Sequence, residues 1–266
     1  MHAFNYHKAS SVADATAKLS ASSDAKILAG GQTLIAAMKM RLAAPADVID
    51  LGGIGELRGI KVEGNTVTIG AMTTHATVAA SKEVAKAIPA LAHLAASIGD
   101  PMVRNMGTMG GSVANNDPAA DYPAAVVGLG ATISTNKRKI PADQFFTGMY
   151  ETALEPGEII TSISFPAPKR AGYAKFKNPA SRYAMVGVFV AEASGGIRVA
   201  VTGAGPSVFR VADMEKGLAK SFTADAVAAV KVSSADLNSD IHASAEYRAH
   251  LITVMAKRAV EQALGK

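Results

Sequence analysis

The 266-residue sequence has no cysteine and no tryptophan. The missing cysteine excludes disulfides, thiolate nucleophiles, zinc ribbons and any cysteine-ligated iron–sulfur cluster held by this chain. Six histidines (His2, His7, His75, His93, His242, His250) are scattered, and none forms an H-E-x-x-H or comparable pair, so a metal site built by this chain alone is not expected. Charged residues are sparse at 18%. No apolar run reaches the roughly 18 residues that a membrane helix requires. The opening "MHAFNYHKASS" lacks a basic segment followed by an apolar one, so no secretory signal is expected and the chain reads as cytoplasmic. The net charge of +5 is spread out. Its densest run, "NKRK" at 136–139, reads as a solvated hairpin turn rather than a nucleic-acid stripe. A mildly basic surface also suits an acidic partner subunit or an anionic cofactor.

Hydrophobic residues make up 49% of the chain, enough for a packed core in one large domain or two ordinary ones. The first third alternates strand and helix. "AKILAGG" (25–31) is a short strand ending in glycines, and "TLIAAMKMRLAA" (33–44) carries Leu34, Ile35, Met38 and Leu42 at helical spacing before Pro45. "DVIDL" (47–51) is a second strand. "IKVEGNTVTIGA" reads as a hairpin around Gly64-Asn65, and "VAKAIPALAHLAASIG" as helical. "DPAADYPAAVVGLG" starts like a helix with Asp117 as N-cap and Pro118 at its first position. A further hairpin, "ATIST-NKRK-I", precedes the β-branched strand "GEIITSISFP" (157–166). The proline- and charge-rich "FPAPKRAG" (165–172) is the best candidate domain boundary. Beyond it come "YAKFKN", "YAMVGVFVAEA" and "GIRVAVTGAG", with Gly195-Gly196 turning between the last two, then helices ending in a long one near 244–264. Strands followed by helices indicate α+β.

Two glycine-rich segments could carry chemistry. "LAGGQTL" (28–34) joins a strand to a helix, where free backbone N–H groups can hold an anion and glycine lets a phosphate come close. It is neither a P-loop nor the G-x-G-x-x-G fingerprint, and an ordinary tight turn would look the same. "GTMGGSVANNDPAAD" (107–121) offers adjacent glycines between Thr108 and Ser112, a possible nest for a negative group. Asp121 could accept from ribose hydroxyls, or merely stabilise a helix N-terminus. Neither segment brings a base, nucleophile or metal ligand. Two loops converging on the two phosphates of one dinucleotide would account for both.

"AGGQTLIAAMKMRLAAPADVIDL", "IGDPMVRNMGTMGGSVANNDPAADYPAA" and "FKNPASRYAMVGVFVA", in that order and spacing, resemble the FAD-binding medium subunit of molybdenum hydroxylases, the carbon monoxide dehydrogenase and xanthine dehydrogenase family. The resemblance covers nearly the whole chain. It implies a PCMH-type (vanillyl-alcohol-oxidase-like) FAD-binding domain over 1–168, in subdomains of about 1–53 and 54–168. A small α+β C-terminal domain with a three-stranded sheet would occupy 169–266. It also implies that both loops grip the FAD diphosphate through backbone donors. Ala29, Gly30, Gly31, Gln32, Thr33 and Leu34 match the first loop, and Thr108, Met109, Gly110, Gly111 and Ser112 the second. Asp121 matches the acidic residue near the cofactor's sugar, and Ile160 a position whose backbone approaches the cofactor. Lys177 and Tyr183 fall where the C-terminal domain reaches the flavin. Met109 stands where relatives commonly carry a β-branched residue.

On that resemblance the chemistry belongs to the cofactor, and the protein binds and orients it. Substrate oxidation is expected at a molybdenum cofactor in a large partner subunit. Electrons would then pass through two 2Fe-2S clusters in a small one, reach FAD on this chain and leave to an external acceptor. The implied assembly is a dimer of heterotrimers, a heterohexamer, with non-covalent FAD and no catalytic side chain here. One alternative is a self-sufficient FAD oxidase of the same superfold, for which the chain leaves little room to build a substrate cap. The other is a basic module that binds nucleic acid or a phosphorylated partner.

Overall fold

A computed structural model describes all residues, Met1 to Lys266. The N-terminal layer is a three-stranded parallel sheet in the order β1 (Asn5–Lys8), β3 (Asp47–Asp50), β2 (Ala25–Leu28). α1 (Val12–Ala21) and α2 (Leu34–Lys39) make its crossovers. β1 and α1 have no counterpart among the expected elements, although "SVAD" carries a cap signal. Ser11 accepts from the Asp14 N–H at 3.1 Å, a standard N-cap. α2 stops at Lys39 instead of running to residue 44. Arg41 turns left-handed at φ +60°, and the Leu42 N–H bonds the Ala37 carbonyl at 2.8 Å, a Schellman stop. Of the expected apolar face only Met38 is buried, and Leu42 lies outside the helix and exposed.

The middle unit is built on a five-stranded antiparallel sheet. β4 (Ile60–Glu63) and β5 (Thr66–Gly70) form the expected hairpin, with Gly64 at φ +55° in the turn. α3 (His75–Ala80), α4 (Lys82–Ala87) and α5 (Pro89–Ser97) follow. The single helix expected across 84–99 is therefore two, split where Ile88 precedes Pro89. α6 (Pro101–Met106), α7 (Met109–Asn115) and α8 (Tyr122–Gly128) complete the helical layer. Asp117 does not cap a helix: its carboxylate accepts from the Ala119 N–H at 2.9 Å in a local turn, and α8 begins only at Tyr122. β6 (Thr132–Thr135) and β7 (Lys139–Pro141) are the second expected hairpin. A two-stranded ribbon of β8 (Phe146–Gly148) and β9 (Glu151–Thr152) leads to β10 (Ile160–Pro166), which enters the middle of the sheet between β5 and β6. The "NKRK" turn is less idle than expected, because Arg138 holds the buried Glu158 carboxylate at 3.0 Å.

After Pro166 the chain changes sheets. β11 (Arg170–Lys177), β12 (Ala184–Ala193) and β13 (Gly196–Thr202) are the three expected strands, and a two-residue β14 (Phe209–Arg210) adds a fourth. α9 (Ala212–Lys220), α10 (Ala224–Ala228) and α11 (Ala245–Ala263) cover one face. The continuous apolar run of β12 follows from its position, since both faces are buried. Val186, Val188 and Val190 pack on Met255, Ala256 and Val260 of α11. Phe189 and Ala191 join the core of the middle unit instead, alongside Tyr122 and Val126 of α8. The two units thus share apolar surface, and the cleft described next lies where all three sheets approach each other.

Candidate functional site: a cleft between two glycine loops

The first loop leaves β2 at Ala29 and turns at Gly31, whose φ of +71° suits glycine. None of the backbone N–H groups from Ala29 to Leu34 donates to another atom of the chain. Donors left without partners near a protein surface bind an anion at little desolvation cost, because they are polar, fixed in direction and face no competing acceptor. Gly30 presses this loop onto the second one. A side chain there would overlap the Met106 carbonyl and come within 2.8 Å of the Gly107 Cα.

The second loop works differently from the expectation. Four of its five N–H groups are already committed, Met109 to the Thr73 carbonyl at 3.0 Å, Gly110 to Ala71 at 2.8 Å, Gly111 to the Thr108 hydroxyl at 3.2 Å and Ser112 to the Thr108 carbonyl at 3.0 Å, which leaves that of Thr108 free. It is therefore not a nest of free donors. It contributes close approach and the Ser112 hydroxyl. The Met109 side chain is fully buried in the core and does not face the cleft. A Cβ on Gly110 would sit 2.5 Å from the Ala71 Cβ. One on Gly111 would come within 3.4 Å of the Ala29 Cβ, in the gap between the loops.

Between the loops lies a cleft of about 710 Å³, well within the range of small-molecule sites. Ala29, Gly30, Gly31, Gln32, Thr33, Leu34, Thr108, Gly110, Gly111, Ser112, Asp121, Ile160 and Tyr183 all line it. Of the sequence-selected residues, only Met109 and Lys177 do not. Lys177 lines a separate pocket on the far side of Arg182.

Asp121 is the charged centre of the cleft wall. Its carboxylate is 4% exposed and accepts from the Tyr173 hydroxyl at 2.5 Å. The Lys175 ammonium lies 2.9 Å away. Burial raises the Asp121 carboxyl above the usual range, while Lys175 and Tyr173 pull against that rise. Burial and the neighbouring Asp121 charge also push the Tyr173 phenol well up, so it stays a donor. Lys175 makes a second bond, to the Arg182 carbonyl at 3.0 Å, and so ties the turn bearing Tyr183 to the cleft wall. The Tyr183 phenol is raised by burial and then by Asp117. Tyr150, left-handed at φ +57°, places its hydroxyl 3.4 Å from an Asp117 oxygen at the same rim.

His75 also lines the cleft and was not selected from the sequence. Burial, with help from Arg104, lowers its pKa to about 4, so the imidazole is neutral at pH 7. Tyr173 and Lys175 were missed as well. Their two-residue spacing puts both on one face of β11, but their partner Asp121 comes from a distant segment. Glu158, held by Arg138, lines the cleft below Ile160.

A row of unpartnered backbone donors, an opposing loop held close by glycines and a cleft of this size suit a dinucleotide. No group of three or more His, Asp or Glu side chains is disposed to hold a metal ion. The comparisons with known proteins place the chain further. The family described as the FAD binding domain in molybdopterin dehydrogenase matches residues 2–168, and the CO dehydrogenase flavoprotein C-terminal domain matches 171–263. The chain belongs to this family of FAD-binding medium subunits of molybdenum hydroxylases, and its cofactor is FAD. It is 37% identical to the nicotine 6-hydroxylase medium subunit of Paenarthrobacter nicotinovorans, covering 98% of this chain and 97% of that one. Against the carbon monoxide dehydrogenase medium chain of Hydrogenophaga pseudoflava the identity is 38%, with 98% and 96% covered. A chain of reconstituted CO dehydrogenase from Oligotropha carboxidovorans superposes with a TM-score of 0.90 at 36% identity, over 99% of this chain and 98% of that chain. The chain is thus an oxidoreductase subunit with the expected α+β flavoprotein fold.

Proposed function

We propose that this chain is the electron-relay subunit of a heteromeric molybdenum hydroxylase. Electrons enter from iron–sulfur clusters of a small partner subunit, after substrate oxidation at a molybdenum cofactor in a large one. They leave through FAD to an external acceptor. The observation that carries the reading is the run of unpartnered N–H groups from Ala29 to Leu34 on a loop that lines the cleft. Non-covalently bound FAD supplies the redox chemistry there. The chain's residues bind and orient it. The Ala29–Leu34 amides hold the diphosphate, Gly110 and Gly111 keep the facing wall flat, and the Ser112 hydroxyl and Asp121 meet the polar part of the cofactor. The Ile160 backbone and Tyr183 bound the space left for the flavin ring, and Lys175 fixes Tyr183 through the Arg182 carbonyl.

The same reading divides the chain at residue 168, with cofactor-binding subdomains over 1–53 and 54–168 and a C-terminal domain over 169–266. The change of sheet between Pro166 and Arg170 supports the division. It also places the chain in the cytoplasm, in a dimer of heterotrimers. No helix is long and apolar enough to cross a membrane.

Purification of the full chain with its partner subunits tests the proposal. The complex is expected to be yellow, to release FAD on denaturation and to bleach on addition of its substrate. The chain alone is expected to bind flavin without oxidising substrate. A folded, colourless complex would refute the relay. Rapid oxidation of a small alcohol by the isolated chain would favour a self-sufficient oxidase.

A further inference from the structure

α5, α6, β11 and α11 line a second, half-open pocket of about 420 Å³ beside the cleft, and its Lys177, Arg182 and Arg258 are exposed. Its charged lining is cationic: Arg104, Lys175, Lys177, Arg182 and Arg258, with His93 next to them, and no aspartate or glutamate among its 12 residues. Lys175 alone has a carboxylate partner, the buried Asp121. Arg104 donates only to the Ile98 and Gly99 carbonyls, at 2.9 and 3.1 Å. The side chains of Lys177, Arg182 and Arg258 make no hydrogen bond or ion pair within the chain, in contrast to Arg138, Arg170, Arg198 and Arg210, which all find carboxylates.

Gathering like charges in a concavity raises their mutual repulsion, because low-dielectric walls focus the field. An arrangement of this kind is relieved by an anion, and one with several oxygens matches planar guanidinium forks better than a single carboxylate does. The backbone geometry points the same way. Arg182 is held left-handed at φ +63°, a conformation strained for a residue with a side chain, and Lys175 pins its carbonyl. That turn sets Arg182 where it lines both the cleft and this cavity.

We propose that this cavity is an anion site for a small molecule carrying a phosphate or diphosphate group, separate from the backbone clamp of the first loop. The cations meet the anion here by charge, whereas the clamp binds by amide geometry. A ligand in this cavity sits beside the cleft's contents across Gly99 and Arg182. The proposal does not rest on the identity of the cofactor.

The test is calorimetric titration of the full chain, saturated with FAD so that the clamp is filled, with inorganic pyrophosphate against sodium chloride of matched ionic strength. One saturable site is expected for pyrophosphate and none for chloride. Arg258→Glu is expected to weaken binding about tenfold or more. Lys257→Glu makes the same charge change on the same helix without lining the cavity, and is expected to change it less than about twofold. Circular dichroism confirms that both variants fold. Absence of saturation, or equal weakening by both variants, overturns the proposal. So does binding by the isolated chain that disappears in the assembled complex, since an acidic partner surface would then be the cavity's occupant. If the chain retains no flavin, the two variants still discriminate this cavity from the clamp.

Discussion

The Lys175 ammonium lies 2.9 Å from an Asp121 carboxylate oxygen, with the two side chains only 6% and 4% exposed. The pair joins β11 of the C-terminal unit to the start of α8 in the cleft wall, and Tyr173 completes it from the same face of β11. A buried ion pair contributes little net stability, but removing one partner strands the other charge. Lys175→Met is therefore expected to cost about 3–5 kcal/mol, read from urea unfolding. The double variant Asp121→Asn, Lys175→Met should recover part of that loss, because no unpaired charge remains. A Lys175→Met loss below about 1 kcal/mol would contradict the burial argument.

Gly30 is where the two loops touch. Any Cβ there meets backbone of Met106 and Gly107, which cannot rotate away as a side chain could. Gly30→Ala should force the loops apart and sharply reduce the flavin retained after gel filtration. Gly55→Ala, with no atom within 4 Å of its added carbon, should retain flavin as the wild type does. Equal flavin content in the two variants would sink the assignment of Gly30 to the loop contact.

The difference between these positions shows which parts of the site were legible in sequence. Glycines followed by a helical pattern located the first loop, because that junction is a local event and needs no knowledge of distant partners. The second loop was located equally well, but it keeps fewer spare donors than its glycines suggest. The Met109 and Gly110 N–H groups bond to the carbonyls of Thr73 and Ala71, which lie far back in the chain before α3. Similarly, Asp121 reads as a ribose acceptor or a helix-stabilising acid, and its bonds to Tyr173 and Lys175 of distant β11 could not be read locally. The helix over 33–44 was overextended because nothing marks Arg41 for a left-handed turn. The C-terminal strands were clear because β12 is buried on both sides and has no polar face to confuse the period.

Glu158 gives the fold an acid limit. The bidentate Arg138 guanidinium, the Glu155 N–H and the Thr135 hydroxyl lower its pKa to about 2. A depressed carboxyl stabilises the fold fully above its unfolded value near 4.5, and that stabilisation is lost as pH falls through about 2. Glu158→Gln should therefore cost about 2–3 kcal/mol at pH 7, with the gap from wild type narrowing steadily between pH 5 and pH 2. A gap that stays constant across that range would show that the loss comes from packing rather than charge.

His75 acts at higher pH with the same sign. Its ring packs 5.2 Å from that of Tyr122, and its Nδ1 is buried without a partner. Burial, reinforced by the Arg104 charge, lowers the pKa from 6.5 to about 4. The unfolded chain therefore binds a proton at pH 5 that the folded chain refuses. The contribution of a neutral His75 is complete above about 6.5 and falls away as the pH drops towards 4. Two measurements check this. The His75 ring resonances should titrate near pH 4, and His75→Phe should flatten unfolding free energy against pH between 4 and 6.5 while leaving the acid limb set by Glu158 in place. A His75 midpoint near 6.5 would mean that water reaches the ring, and that the cleft floor between α3 and the second loop is open rather than packed.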